Sequence, residues 1–390
     1  MKRIASFVVV GLITLGACRE APLGTAAGNE EVASLGPQAA AGSSITDART
    51  RKDEDKDKGE DSEQLKTVSV FSQNLYVGAD VDAVINALVS SDPADDFPTL
   101  LAAIQTFQET DYLARMGAVA DEIARARPHA VGLQEVSVLD IDLTGFGLPI
   151  VIHADFLPVL MEALDARGLH YRVAATIKNL EATPVPGIRL VDYDALLVDA
   201  DRVTVRNAGG QNFAVNLGTV APGVELKRGW VWASTTVDKR PYFFASTHLE
   251  GSASGMPELL AAQASELAAF LPDDRPVIVM GDFNDRPGSP MHQAMTSQGF
   301  ADVWASLHPG DAGFTCCQAP DLSNPTAQFT QRIDYVFARD IGHPQFDVRS
   351  SIEIQGDEPA DRIAGPNHSL WPSDHGGLLA RLSKLRADVR

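Results

Sequence analysis

Ile278-Val279-Met280-Gly281-Asp282-Phe283-Asn284 decides how this chain is read. An apolar run of this length, opened by Pro276 and closed by turn formers, has the signature of a buried strand. A carboxylate and an amide then follow two residues apart. If the backbone stays extended, Asp282 and Asn284 share one face; the composition of Gly-Asp-Phe-Asn-Asp also suits a turn. Working outward, the same pattern recurs. Val70-Phe71-Ser72-Gln73-Asn74, Val131-Gly132-Leu133-Gln134-Glu135, Phe244-Ala245-Ser246-Thr247-His248 and Ser373-Asp374-His375 all place an amide, carboxylate or imidazole at a segment end. Arg332-Ile333-Asp334-Tyr335-Val336-Phe337 sets an Asp inside an apolar run. Together these ends point to one sheet edge that assembles a metal and phosphate site.

Each residue type has its chemistry. Glu135 closes a strand too apolar to tolerate an unpaired charge, and a divalent cation would resolve that. Mg²⁺ takes one or two carboxylates and fills its remaining positions with water and substrate phosphate. Asn74 could add a neutral oxygen, position such a water, or simply cap a loop. His248 and His375 are strand-end imidazoles, and Asp334 is the obvious partner for His375, fixing its tautomer and raising its pKa.

Strands and helices alternate along the chain. Leu113, Met116, Val119, Ala120 and Ile123 give Thr110–Arg127 a helical period that Pro128 stops, and Ala130–Val136 reads as a fully buried strand. Phe156–Arg167 repeats the helical pattern with Gly168 as C-cap, and Pro257–Leu271 is a third helix. Tyr171–Thr176, Ala195–Val198, Arg202–Arg206, Trp230–Thr236, Tyr242–Thr247, Pro276–Met280, Ile333–Ala338 and Gly377–Leu382 read as strands. Two packed sheets flanked by helices are expected.

Residues 1–18 carry Lys2 and Arg3, a short apolar run and Leu15-Gly16-Ala17-Cys18. The run is too short to span a bilayer, and the final tetrad resembles the lipobox of bacterial lipoproteins. Cys18 is therefore expected to be lipidated, with the protein extracytoplasmic and anchored in the outer membrane facing the periplasm; Arg19 stands where an inner-membrane retention Asp would be. Residues 19–66 lack the apolar content to offset their ordering entropy and read as a disordered acidic tether, leaving 67–390 as one catalytic domain. The chain carries a net −20. With Lys2 and Arg3 in the leader, and seven basic against eleven acidic residues in the tether, residues 67–390 hold −18. That disfavours nucleic acid as a partner, because phosphate neutralisation by Lys and Arg supplies most non-specific affinity. Cys316 and Cys317 are adjacent, wrong in spacing and number for zinc, and expected on a loop near the site either as a vicinal disulfide or as two small buried side chains.

The ordered series Gln73-Asn74, Gln134-Glu135, Ser246-Thr247-His248, Gly281-Asp282-Phe283-Asn284, Arg332-Ile333-Asp334-Tyr335 and Ser373-Asp374-His375 resembles the endonuclease/exonuclease/phosphatase superfamily of deoxyribonuclease-I-like enzymes, across Thr67 to Leu382. The resemblance implies an α/β fold, a four-layer sandwich with two central mixed β-sheets. It implies Asn74, Glu135 and Asp374 at a Mg²⁺ ion, with Mn²⁺ as an alternative. Asp282 would orient or deprotonate the attacking water and Asn284 would bind phosphate. His248 would contact the phosphate or assist the leaving group, and His375, held by Asp334, would polarise a phosphate oxygen or act as acid or base. Asp192-Tyr193-Asp194 departs from the small residues, Tyr or Glu that the family often has before the central strand. There Tyr193 could hydrogen-bond phosphate, or Asp192 or Asp194 could orient His248.

The expected activity is Mg²⁺-dependent hydrolysis of a small or lipid-linked phosphoester, by a monomer held at the membrane through its lipid anchor. A secreted metal-dependent nuclease is the alternative. An inactive binding protein on the same scaffold fits less well, since decay should have removed at least one of Glu135, Asp282, Asn284, Asp334 and His375.

Overall fold

The computed structural model describes residues 67–383 except 91, 93, 252–254, 341–345, 347 and 348, so Cys18 and the tether lie outside the described residues. Two large sheets dominate. One runs in the order Ser351–Gln355, Gly377–Ser383, Thr67–Asn74, Ala130–Asp142, Ile188–Asp199, Tyr171–Ala182, Val224–Leu226, Gly218–Ala221, with Val151–Asp155 paired to Ala130–Asp142. The other runs Ala301–Asp302, Asp334–Arg339, Val277–Asp282, Arg240–His248, Gly229–Val237, Val203–Asn212. Each is mixed in the same way. Thr67–Asn74 lies parallel to Ala130–Asp142, Arg240–His248 lies parallel to Val277–Asp282, and the remaining pairs are antiparallel.

The apolar side chains explain the layering. Val70, Ala130, Leu196 and Val198 of the first sheet meet Val231, Phe244, Ile278, Met280 and Val336 of the second in a core between them. The outer face of the first sheet is covered by helices, among them Tyr112–Ala126 with Met116, Val119, Ala120 and Ile123, and Phe156–Asp165 with Leu160 and Leu164. The outer face of the second is covered by Pro257–Phe270, through Leu260, Ala264 and Leu267, and by Pro290–Thr296. The result is a four-layer α/β sandwich. Asp111 caps the Tyr112 helix by accepting from the Ala114 amide at 3.2 Å, which satisfies one of the donors a helix start leaves free.

The sheets press closest near their polar edge. A Cβ on Gly132 would fall 2.6 Å from Met280 and from Ser246 of the facing sheet, so no larger residue fits there. Gln134 donates across the same gap to the Ser246 hydroxyl at 2.8 Å. The parallel pairs bring their C-terminal ends to a common edge, and register then fixes the neighbours. His248 stands opposite Asp282, Asp282 opposite Asp334, and Asn74 opposite Gln134.

Several elements differ from the sequence expectation. Helices Val81–Val89 and Asp96–Glu109 precede the one expected from Thr110, and Ala130–Asp142 runs six residues beyond Val136. The extension follows from a bulge between Leu133 and Val136 that re-aims the strand. Val203–Asn212 likewise continues past Arg206.

Candidate active site

Asp282 ends its strand with Oδ1 accepting the Asn284 amide at 2.9 Å and Oδ2 facing the cleft. Around Oδ2 stand Asn74 Nδ2 at 3.2 Å, His248 Nε2 at 3.5 Å and His375 Nε2 at 3.9 Å. The carboxyl is buried, and burial together with the Asp334 charge pushes its pKa up, partly offset by His375. Asn284 does not continue the strand. Its φ of +54° turns the chain, and its side-chain amide donates to the Leu249 carbonyl at 3.1 Å. The extended reading of Asp282 and Asn284 therefore gives way to the turn, although both residues line the same cleft.

The two histidines are held in opposite charge states. Arg228 Nη1 lies 3.1 Å from His248 Nδ1. A guanidinium offers no acceptor, so Nδ1 presents its lone pair and the ring proton sits on Nε2, towards the cleft. Burial and the Arg228 charge keep His248 well below its usual pKa, so it is neutral at pH 7. His375 Nδ1 lies 2.9 Å from Asp334 Oδ2. Burial opposes a charge on this ring, but Asp334, Asp374 and Asp282 outweigh it and hold the pKa well above the usual value. His375 is an imidazolium that donates from both nitrogens. Thr315 Oγ1 donates to the same Asp334 oxygen at 2.6 Å and fixes the carboxylate.

A third group of oxygens lines the cleft beside these rings. Glu135 adopts φ +54°, a costly conformation for a residue with a side chain, and its carboxylate accepts from Asn74 Nδ2 at 3.0 Å and from the Val77 amide at 2.9 Å. Asp374 sits nearby with its pKa raised by burial and by Glu135, against the pull of His375. The Tyr76 amide donates to Asn74 Oδ1 at 2.9 Å, which orients the Asn74 amide with its NH₂ towards Glu135 and Asp282. Asn74 thus positions two carboxylates while its oxygen accepts from the Tyr76 amide.

The donor set fits a hard divalent cation. Glu135, Asp192, Asp282 and Asp374 are buried or half-buried carboxylates in one cleft of about 90 Å³, with Arg228 and the His375 imidazolium as cations in its lining. Burial drives Asp192, Asp282 and Asp374 towards protonation, which a Mg²⁺-type ion would relieve. Among the described residues, ligand atoms of Asp282, Asp334 and His375 also lie within 4.8 Å of one another, but there His375 Nδ1 is committed to Asp334. Cys316 and Cys317 lie next to His375 as a disulfide, so they are not thiolate ligands; Cys317 lines the cleft.

Asp192-Tyr193-Asp194 resolves unevenly. Asp192 lines the cleft, with burial raising its pKa well above the carboxylate range. Asp194 is fully buried and does not line the cleft, and burial pushes it up to about 7. Tyr193 points to the opposite face, against the outer core, and does not reach the cleft. Neither Asp orients His248. Arg228 does that, and Glu250, Asp192, Asp194 and Glu135 raise its pKa in turn. Sequence reading missed Arg228, whose sole signal was a charge directly before the apolar strand Gly229–Val237. It also missed Arg115, fully buried, which donates to the carbonyls of Thr110, Leu75 and Tyr76 at 2.9, 2.6 and 3.0 Å and so fixes the turn that follows Asn74. Gln73 bridges the carbonyls of Asn74 and His375 at 2.7 and 3.1 Å, and the Ser373 hydroxyl donates to the Asn74 carbonyl at 2.7 Å.

The fold resembles several solved structures. An endonuclease/exonuclease/phosphatase family protein from Bacteroides thetaiotaomicron aligns at 16% identity over 83% of this chain and 98% of its own, with a TM-score of 0.51. Truncated Caenorhabditis elegans TDP2 aligns at 18% identity over 82% and 100%, TM-score 0.47. The Bacteroides thetaiotaomicron mannosyl-6-phosphatase aligns at 18% over 81% and 99%, TM-score 0.47. No curated protein sequence matches this one. The sequence profile of the Endonuclease/Exonuclease/phosphatase family matches residues 104–375, a span that holds Glu135, His248, Asp282, Asp334 and His375. The chain belongs to that family.

Proposed function

We propose that the protein is a divalent-metal-dependent phosphoesterase that hydrolyses a small or lipid-linked phosphoester outside the cytoplasm, tethered through Cys18. One observation carries this reading: the Asp282 carboxylate stands between a neutral imidazole and an imidazolium, Oδ2 lying 3.5 and 3.9 Å from their Nε2 atoms. Both separations are long for direct hydrogen bonds, so the three groups converge on the cleft without being committed to one another.

Asp282 serves as the base that orients the attacking water and takes its proton. His248, neutral with Nε2–H towards the cleft, donates to a phosphate oxygen. His375, kept cationic by Asp334, donates its Nε2 proton to a second oxygen or to the departing alkoxide. Pairs of groups whose environments drive their pKa values apart are the usual basis for such a division of labour. Glu135 and Asp374 would hold Mg²⁺, or Mn²⁺ in its place. The ion would supply charge stabilisation at the phosphoryl oxygens, and Asn74, donating to both, links the Glu135 and Asp282 carboxylates at the cleft.

The test is hydrolysis of bis-p-nitrophenyl phosphate by the purified protein with and without chelator. Turnover should vanish in EDTA and return with Mg²⁺ or Mn²⁺. Undiminished turnover in EDTA would refute the metal assignment.

A further inference from the structure

Beside the catalytic cleft lies a second cavity of different character. It is about 80 Å³ in volume and is bounded by the helices Val81–Val89 and Asp96–Glu109 on one side and the first sheet on the other. Every one of its seventeen lining residues is apolar, among them Val84, Leu88, Ala103, Phe107 and Ile188. Val77, Ala79, Val81 and Leu190 line both this crevice and the catalytic cleft, so the two share a wall. Val77 is also the residue whose amide holds Glu135.

Size and chemistry together select the occupant. A water needs roughly 10–15 Å³ of such volume and two to four polar partners, and apolar cavities of this order stay dry while accepting apolar ligands. Space is ample for several waters, yet no lining side chain offers a hydrogen bond. The helix over the crevice, VDAVINALV, carries apolar residues at seven of nine positions, and Val81, Val84 and Leu88 remain only half-buried on it. Covering these side chains with aliphatic carbon would remove further apolar surface from water.

We propose that this crevice is a subsite for an aliphatic chain carried by the phosphoester substrate, its phosphate held at Asp282, His248 and His375 while the chain passes the wall of Val77, Val81 and Leu190. The inference rests on the phosphoesterase reading for its catalytic readout and narrows that reading to phosphoesters with an apolar tail.

The test is a series of p-nitrophenyl n-alkyl phosphodiesters from methyl to octyl. Burial of each methylene predicts about a fourfold rise in kcat/KM until the crevice is full, then a plateau. Ala103→Trp, which fills the crevice from the Asp96–Glu109 helix, should flatten the series and leave the methyl ester unchanged. Independently of catalysis, 1-hexanol should raise the melting temperature of the wild-type protein, and should do so much less in Ala103→Trp. Equal kcat/KM from methyl to octyl, within about twofold, would overturn the subsite while leaving the phosphoesterase reading standing. A chain-length dependence retained in a folded Ala103→Trp variant would also overturn it. If no ester is turned over, the phosphoesterase reading fails, and the hexanol shift still decides whether the crevice takes aliphatic chains: no shift in wild type refutes it. Should Ala103→Trp fail to fold, the wild-type series and the wild-type hexanol shift suffice.

Discussion

Asp334→Asn isolates one interaction. The Asp334 oxygen that lies 2.9 Å from His375 Nδ1 also accepts from Thr315 Oγ1 at 2.6 Å. Both donors need an acceptor at that point, so the variant amide places its oxygen there and keeps the His375 tautomer. What disappears is the charge. A hydrogen bond to a charged partner contributes about 1.5–3 kcal/mol, and each 1.36 kcal/mol is a factor of ten in rate, so kcat should fall about 10- to 150-fold. The loss should fall on kcat more than on KM, because the Asp334 charge keeps on His375 the proton that it delivers to the departing oxygen. Stability should hold within about 1 kcal/mol, since the strand pairing of Asp334 with Asp282 is untouched and the carboxylate that raises the Asp282 pKa is removed. Turnover of an activated phosphodiester at saturating metal gives kcat and KM, and thermal unfolding by circular dichroism gives the melting temperature. Near-normal kcat in a folded variant would refute the dyad; a collapse in melting temperature would show that Asp334 is chiefly structural.

Asp282→Ala and His375→Ala should each lower kcat by at least about two orders of magnitude, the range for losing a general base or acid or a charge-stabilising donor; a loss under tenfold in steady-state kinetics would remove either from its role. Arg228→Met should destabilise the fold by about 3–5 kcal/mol, because it strips a buried cation from Glu250, Asp192 and Asp194; denaturant unfolding measures this, and a change below about 1 kcal/mol would refute the account. Thiol titration of unfolded, unreduced protein should find Cys316 and Cys317 joined, and two free thiols there would exclude the bond. With −18 on residues 67–390, plasmid cleavage at about physiological salt should be weak beside hydrolysis of a small phosphodiester; fast, salt-tolerant degradation of DNA would favour a nuclease.

What the sequence made legible was set by local rules. An apolar strand is recognisable from a few residues, and a polar residue at its end is conspicuous, so Asn74, Glu135, His248, Asp282, Asp334 and His375 stood out one by one. Their meeting at a single edge depended on register and on two parallel pairs, which the ordered motifs implied through the family but no single segment contained. Side-chain direction was the harder matter. Tyr193 and Asp192 were indistinguishable because both faces of Ile188–Asp199 are largely covered, so alternation separates the two side chains without saying which face is the cleft. Asn74 was placed at the cation for its type; the Tyr76 amide, two residues on, decides which end of that amide faces inwards.

Arg228 and the apolar crevice were hidden for a different reason. Val224-Glu225-Leu226-Lys227-Arg228 reads as a solvated edge strand with scattered charges, and Lys227 next to it is indeed exposed. Only folding against Arg240–His248 brings the guanidinium to His248 and buries it. The helix Val81–Val89 went unread although Val81, Val84, Ile85 and Leu88 stand at helical spacing, and apolar residues at most of its positions fit a helix with cover on more than one side. One side is the first sheet. The half-buried Val84 and Leu88 line the crevice, so the second side gives the chain an aliphatic surface beside the cleft of Asp282, His248 and His375.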